Sequence, residues 1–216
     1  MLSVMRKNEI TVVLGTAHRL REPGKTSPDG RLRECVYSRE IVRELASRLI
    51  KMGYQTVIDY DPLDLPSNMK SDNYLNERSR ELKMRVQTVN GICREQKNVL
   101  YVSIHVNAIG KDGQWHMAKG WQVMVGTKAS AKSKLLAGCL FDAAVSLGLQ
   151  TRQPLPKQKY WQQKLTVLND TACPAVLTEN LFQDNVDDVE YLLSDKGRNG
   201  IVQLHIDGIT KYIEQI

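Results

Sequence analysis

The run NVLYVSIHVN at residues 98–107 constrains the fold of this chain more than any other stretch. It is apolar, rich in β-branched residues and bounded by polar residues and by Gly110, so it predicts a strand buried on both faces, as parallel strands are in α/β proteins. His105 then lies at the carboxyl end of the strand, where open α/β sheets bind their ligands. Considered alone, His105 is better explained as a hydrogen-bonded core histidine.

Strands and helices alternate along the rest of the chain. Apolar runs predict further strands at residues 10–14, 54–58, 119–125 and 174–178, and helical spacing predicts helices at residues 34–52, 76–94, 130–147, 187–193 and 195–216. This alternation predicts an α/β fold: one twisted, largely parallel β-sheet of about six strands, with helices on both faces. A chain of 216 residues that is 42% hydrophobic can bury one substantial core, and no linker is evident, so we expect a single domain over residues 1–216.

The charge of the chain limits its partners only weakly. There are 30 Lys and Arg against 24 Asp and Glu, a net charge of +6, which suggests an anionic surface such as cell wall, membrane or nucleic acid. The basic residues are dispersed, and no helix-turn-helix or RNA-binding signature is present, so we expect no nucleic-acid partner. No stretch is apolar and long enough for a signal peptide or a membrane span, and we expect no membrane insertion.

Two other kinds of site are disfavoured by the sequence. The four cysteines (Cys35, Cys93, Cys139 and Cys173) are scattered and form no CxxC pair, so free thiols are expected rather than a disulfide framework or a cysteine zinc site. The segment GKTS at residues 24–27 is not a phosphate-binding loop. Arg19 stands where that motif requires glycine, and Pro28 obstructs the helix that should follow.

Four ionisable residues are expected at one edge of the sheet. His18 and Glu179 follow predicted strands, as His105 does, and Glu34 lies eleven residues before Leu45, which places it on the buried side of its helix at the first turn. Each has an ordinary structural explanation; Glu34, for example, suits a helix amino-terminal cap. Together they offer the two histidines and one carboxylate of a catalytic zinc site, with a further carboxylate that can take a proton from water.

Two segments carry a resemblance to a known family. The motifs SIHVNA at residues 103–108 and PAVLTENLFQDN at residues 174–185 closely resemble signatures of the zinc-dependent N-acetylmuramoyl-L-alanine amidases of the third amidase family. The resemblance extends over roughly residues 12–185. By position, it makes His18, Glu34 and His105 the ligands of one Zn²⁺ ion and Glu179 the catalytic base. It implies hydrolysis of the amide bond between the lactyl group of N-acetylmuramic acid and the L-alanine of the stem peptide in peptidoglycan.

The sequence departs from the family pattern at two places. The usual first motif has proline and glycine before the histidine and two glycines after it, whereas GTA precedes His18 and Arg19 and Leu20 follow it. We therefore expect a differently shaped loop around His18. Leu181 stands where glycine is common in the family, two positions after Glu179, and we expect it to alter how substrate passes over the site.

The resemblance also implies how the chain meets its substrate. Peptidoglycan is the expected partner, reached in the cell wall by a monomer that has no separate wall-binding domain. The candidate substrate contacts are Asn107, His116, Tyr160 and Trp161, the last two in an aromatic and basic loop predicted at residues 153–164. His205 falls within the last predicted helix and is expected to be structural or exposed.

Two alternatives to this function remain open. One is another zinc-dependent amidohydrolase or peptidase that acts on a different amide, and the other is a wall-binding relative that does not turn over substrate. The absence of an HExxH motif excludes the commonest zinc-protease arrangement. A non-catalytic relative is disfavoured because all four candidate residues are present.

Overall fold

A computed structural model describes residues 6–110 and 112–216. Residues 1–5, part of the stretch in which a signal peptide would be sought, lie outside the described residues. Within these ranges one sheet is formed by β1 (Thr11–Thr16), β2 (Gln55–Ile58), β3 (Val99–Asn107), β4 (Gln122–Gly126), β5 (Trp161–Gln163) and β6 (Ala175–Phe182). The strand order is β2-β1-β3-β6-β4-β5, and β4 with β6 is the antiparallel pair among parallel ones. The predicted α/β fold with a largely parallel sheet is confirmed.

Helices cover both faces of the sheet, as predicted. They are α1 (Glu34–Lys51), α2 (Tyr74–Glu95), α3 (Ala131–Ser146), α4 (Thr166–Asn169), α5 (Val186–Leu193) and α6 (Asp195–Ile213). The main apolar core lies under α1, α3 and α6, and a smaller apolar cluster lies under α2 and α4 on the opposite face. None of the helices in the described part of the chain is long and apolar enough to cross a membrane.

The alternation of side chains along β3 places the ionisable residues on one particular face. Val102 and Ile104 pack in the main core, whereas Tyr101 packs in the smaller cluster. Ser103 and His105 continue the side of Tyr101 toward the carboxyl end of the strand. The smaller cluster therefore leads into a polar region at this edge of the sheet.

Two short elements differ from the prediction. The sequence predicts a loop at residues 153–164, but residues 161–163 pair with β4 as the edge strand β5. The sequence does not predict the four-residue helix α4 either. Both are shorter than a stretch in which hydrophobic periodicity can be recognised, so their formation depends on the neighbours that they pack against.

The last strand is longer than predicted. The sequence predicts that it ends at Thr178, but β6 continues to Phe182, so Glu179 lies within the strand and not at its carboxyl end. The polar residues that suggested an end have partners inside the protein. Thr178 Oγ1 lies 2.9 Å from Nε2 of His205, which is fully buried and structural, and Asn180 accepts a hydrogen bond of 2.8 Å from the indole of Trp121.

Leu181 occupies a strained position in β6. Its φ is 65°, in the left-handed region that favours glycine. His105 pairs with Glu179, whereas Asn107 pairs with Phe182, so β6 has one extra residue and bulges at this point. The Leu181 side chain is buried in the main core, on the opposite face of the sheet from His105. The structure therefore does not support the expectation that Leu181 alters the passage of substrate.

At position 181 a glycine variant should be more stable than an alanine variant, which is the reverse of the usual order in a strand. Leu181→Ala should lower the free energy of unfolding by about 2–5 kcal/mol through lost packing, and it keeps the unfavourable backbone conformation. Leu181→Gly should be more stable than Leu181→Ala, by about 1 kcal/mol, because glycine relieves the left-handed strain. Urea denaturation measures both.

Leu177 in the same strand is the matched control, since its φ is not positive. There the alanine variant should be the more stable of the two, as in an ordinary strand. Finding alanine more stable than glycine at both positions would contradict the account of Leu181.

Candidate functional site

His18, Glu34 and His105 lie together at the carboxyl edge of the sheet. One possible ligand atom from each lies within 4.8 Å of the others. Glu34 Oε1 is 3.1 Å from His105 Nδ1 and 3.4 Å from His18 Nε2, and the two imidazole rings meet edge to face with centroids 5.0 Å apart. The structure thus brings together the three residues that the sequence offered as ligands, from three separate segments of the chain.

Glu34 is the first residue of α1 and is fully buried. Its Oε1 also accepts a hydrogen bond of 3.1 Å from the backbone N–H of Val106, and its own N–H donates to the carbonyl of Lys25 at 3.0 Å. Burial alone would raise the pKa of Glu34, but the positive charges of His18 and Lys25 outweigh it and hold that pKa well below its usual range. The carboxylate is therefore ionised in spite of its burial.

His18 sits in a constrained loop after β1. Its φ is 46°, a left-handed conformation that is uncommon for residues other than glycine. The buried guanidinium of Arg39, in α1, donates hydrogen bonds to the carbonyls of Ala17 at 2.8 Å and of His18 at 3.1 Å. These hydrogen bonds connect the loop to α1. Burial opposes protonation of His18, but the carboxylate of Glu34 favours it more and raises the pKa of His18 to about 9.

Ion pairs shape the segment that follows His18, where the family usually has glycines. Arg19 is buried and pairs with Glu81 at 2.9 Å and with Glu77. Glu22 lies 3.5 Å from His18 Nδ1, accepts a hydrogen bond from the hydroxyl of Tyr74, and has its pKa lowered to about 2 because these two hydrogen bonds outweigh its burial. Metal-binding histidines commonly hold a carboxylate on their second nitrogen in this way.

His105 has a matching partner on its second nitrogen. Its Nε2 is 3.1 Å from Ser103 Oγ, and burial lowers the pKa of His105 to about 4, so the ring is neutral. Gly15 of β1 pairs with Ser103, and a Cβ at Gly15 would overlap the hydroxyls of Ser103 and Tyr101. Glycine at this position therefore allows the polar side chains of β3 to occupy the space beside β1.

Glu179 stands next to the three residues, directly across from His105 in the pairing of β3 with β6. Its Oε2 is buried and has no hydrogen-bond partner among the described residues. Burial and the negative charge of Glu34 raise the pKa of Glu179 to about 8. A cation held by the neighbouring residues would act in the opposite direction, toward the carboxylate form.

A cavity of about 240 Å³ opens beside these groups. His18, His105, Glu179 and Lys25 supply part of its polar lining, and α2, α4 and β6 add apolar side chains. These apolar residues are Leu82 of α2, Leu165 just before α4, Val167 of α4 and Leu177 of β6. The arrangement can hold a cation with two imidazoles and one carboxylate, and it places a further carboxylate, that of Glu179, across from His105.

The four candidate substrate contacts do not line this cavity. Asn107 ends β3 and accepts a hydrogen bond from the N–H of Ala108 at 2.9 Å, and His116 lies 2.9 Å from Asp112 in the loop before β4. Tyr160 packs against the main core and Trp161 begins β5. Contact of these residues with a longer substrate stays a prediction.

Three supporting residues were not predicted from the sequence: Glu22, Lys25 and Ser103. Ser103 could have been found, since it lies two residues before His105 on the same face of a predicted strand. Glu22 and Lys25 belong to an irregular loop, where no periodicity indicates which side chains point toward His18 or Glu34.

Comparison with known sequences agrees with the resemblance carried by the motifs. The family model described as N-acetylmuramoyl-L-alanine amidase matches residues 12–211. An endolysin of Bacillus phage SPP1 is 32% identical over 120 residues, which make up 53% of this chain and 40% of that protein. The matched part is therefore less than half the length of this curated relative.

Solved structures share the fold over nearly the whole chain. Ami1, an N-acetylmuramyl-L-alanine amidase from Mycobacterium smegmatis, superposes with a TM-score of 0.78 at 16% identity and covers 98% of this chain and 100% of its own. An N-acetylmuramoyl-L-alanine amidase from Clostridium difficile 630 gives a TM-score of 0.77 at 23% identity, over 96% of this chain and 98% of its own. These likenesses show the fold, and the family-model match shows that the chain belongs to the N-acetylmuramoyl-L-alanine amidase family.

Proposed function

We propose that this chain is a zinc-dependent N-acetylmuramoyl-L-alanine amidase. Its reaction is hydrolysis of the amide bond between the lactyl group of N-acetylmuramic acid and the L-alanine of the stem peptide. The observation that carries the proposal is the convergence of His18, Glu34 and His105 beside a cavity that His18, His105 and Glu179 line, with Glu179 Oε2 lacking a hydrogen-bond partner among the described residues. Membership of the family supports peptidoglycan as the substrate.

The donor set fits one Zn²⁺ ion. The second nitrogen of each histidine is already engaged, by Glu22 for His18 and by Ser103 for His105, which leaves the nitrogens that face Glu34 as the ligand atoms. Two imidazoles and one carboxylate are a three-residue set found in catalytic zinc sites. When bound, zinc supplies Lewis acidity and lowers the pKa of water.

Glu179 acts as the general base and then as the general acid. Its carboxylate takes one proton from the attacking water as the water oxygen bonds to the carbonyl carbon and the C=O electron pair moves to the carbonyl oxygen. The C=O bond then forms again, the C–N bond breaks, and Glu179 returns the proton to the leaving nitrogen. The products are a lactyl carboxylate and a peptide with a free alanine amino group. Leu82, Val167 and Leu177 give the same cavity an apolar wall.

The partner in this proposal is peptidoglycan, bound at the cell wall by this catalytic domain as a monomer. The net charge of +6 suits an anionic wall polymer. Mass spectrometry of digested peptidoglycan tests the reaction. Peptides with a new amino-terminal alanine support the amidase, a different new amino terminus indicates another amide, and binding without release indicates a non-catalytic relative.

Substitution of a proposed zinc ligand should weaken zinc binding, whereas substitution of a histidine elsewhere should not. His105→Ala should lower zinc affinity by more than about a hundredfold, because even loss of an outer partner of a ligand costs 10–100-fold. The control is His116→Ala, which changes a histidine outside the cavity and should keep the zinc content of the parent. Metal analysis of both variants after dialysis gives the result, and equal zinc contents would contradict the ligand assignment.

Glu179→Gln should keep zinc and fold but lose turnover. The amide cannot accept the proton of water, so the rate should fall by about 10²- to 10⁴-fold, the usual contribution of a general base. Glu44→Gln, which removes an exposed carboxylate paired with Arg48 at 2.7 Å, should keep the parental rate. Zinc content, melting temperature and cleavage of muropeptides are measured on one preparation, and a folded, zinc-loaded and nearly fully active Glu179→Gln variant would show that the base lies elsewhere.

A further inference from the structure

Lys25 lies beside the candidate metal centre and has no part in the reaction described above. Its ammonium nitrogen is 3.3 Å from Glu34 Oε2, and its side chain is 28% exposed and lines the cavity with His18 and Glu179. It belongs to the GKTS segment, whose spacing excludes a phosphate-binding loop. The lysine is therefore present in the site without the function that its motif first suggested.

The backbone around Lys25 is fixed from two sides of the site. Its carbonyl accepts the N–H of Glu34 at 3.0 Å, which joins it to the start of α1. The carbonyl of Gly24 accepts a hydrogen bond of 2.8 Å from the side chain of Gln183, just beyond β6. Because both neighbouring segments carry residues of the site, Lys25 is held in position relative to Glu34 and Glu179.

The ion pair with Glu34 leaves most of the hydrogen-bonding capacity of Lys25 unused. An ammonium group has three N–H donors, and within residues 6–110 and 112–216 Glu34 is the one carboxylate that forms an ion pair with it. Glu34 does not depend on Lys25 for its orientation, since the N–H of Val106 and the two histidines already contact Oε1. The remaining donors can reach a group that enters the cavity.

The charges around the centre, once it holds a divalent cation, indicate that Lys25 binds a group that becomes negative. The carboxylates of Glu34 and Glu179 balance a divalent cation, and the histidine ligands are neutral when they bind a metal. Glu22 contacts His18 and also Arg19, and Arg19 is shared with Glu77 and Glu81. Lys25 adds a positive charge at the side of the cavity where Glu34 and Glu179 lie, and a positive charge there favours the state in which the substrate becomes negative.

We propose that Lys25 is a further catalytic residue, whose ammonium group donates a hydrogen bond to the scissile carbonyl oxygen as that oxygen becomes negative. This inference rests on the proposed amidase function. Lys25 takes no part in forming or breaking bonds: the C=O electron pair moves to the oxygen when water adds and returns when the C–N bond breaks, and Lys25 stabilises the charge in between. The interaction is made in the transition state and is weak with the neutral amide.

The test compares Lys25→Met and Lys25→Gln with the control Lys119→Met, which removes one positive charge outside the cavity. Four quantities are measured. One is zinc affinity; the other three, on zinc-loaded protein, are the rate of muropeptide cleavage, affinity for an intact muropeptide in the Glu179→Gln background, and affinity for an analogue in which a phosphinate replaces the scissile amide. The phosphinate is tetrahedral and negatively charged, so it resembles the transition state without being cleaved. Melting temperatures identify any variant that fails to fold.

We expect both Lys25 variants to lose about 10²- to 10³-fold in cleavage rate and in phosphinate affinity, the size seen when one donor to such an oxygen is removed. Zinc affinity and muropeptide affinity should stay within about threefold of the parent, and Lys119→Met should match the parent in every measurement. Lower zinc affinity would show that Lys25 only positions Glu34. An equal loss for muropeptide and phosphinate would show ordinary substrate binding, and unchanged values would show no role; each of these overturns the proposal.

The same experiment distinguishes failure of this inference from failure of the proposed function. If the parent protein releases peptides with amino-terminal alanine while the Lys25 variants keep its rate, the role of Lys25 is wrong and the amidase function stands. If the parent releases no such peptides and does not bind the phosphinate, the proposed function itself is wrong.

Discussion

The buried carboxylate of Glu34 is the interaction on which the rest of the site depends. An ionised carboxylate without partners is strongly unfavourable in a protein interior. Here three segments supply four compensating groups: the loop after β1 through His18, the following loop through Lys25, and β3 through both His105 and the N–H of Val106. Removing that one charge would leave groups from three parts of the chain without a common partner.

The sheet explains how such a charged centre coexists with a stable core. One face, under α1, α3 and α6, carries the main apolar core. On the other face, Tyr101 and Leu177 pack under α2 and α4, and Ser103, His105 and Glu179 continue the same rows toward the carboxyl edge. Because side chains alternate along a strand, each of the two central strands contributes to the core with one set of residues and to the site with the other.

Much of this could be predicted from the sequence, because long apolar runs and helical spacing are local signals. His18, Glu34 and His105 were found because each follows or begins a predicted element, and parallel strands bring such positions to one edge. Short elements such as β5 and α4 carry no such signal. The end of β6 was misplaced because the partners of Thr178 and Asn180, His205 and Trp121, come from distant parts of the chain. Glu22 and Lys25 lie in an irregular loop whose path depends on contacts with distant residues, which no local sequence pattern indicates. For the same reason the sequence could not show that Tyr160 and Trp161 lie outside the cavity.

The most direct test of the central claim is X-ray absorption spectroscopy at the zinc edge on the purified protein. If His18, Glu34 and His105 hold the metal, one zinc per chain should show a shell of nitrogen and oxygen ligands, with the multiple-scattering signature of two imidazoles and no sulfur. A shell that contains sulfur would place the metal at a cysteine. A shell with fewer than two imidazoles, or no retained zinc, would equally contradict the account of this centre.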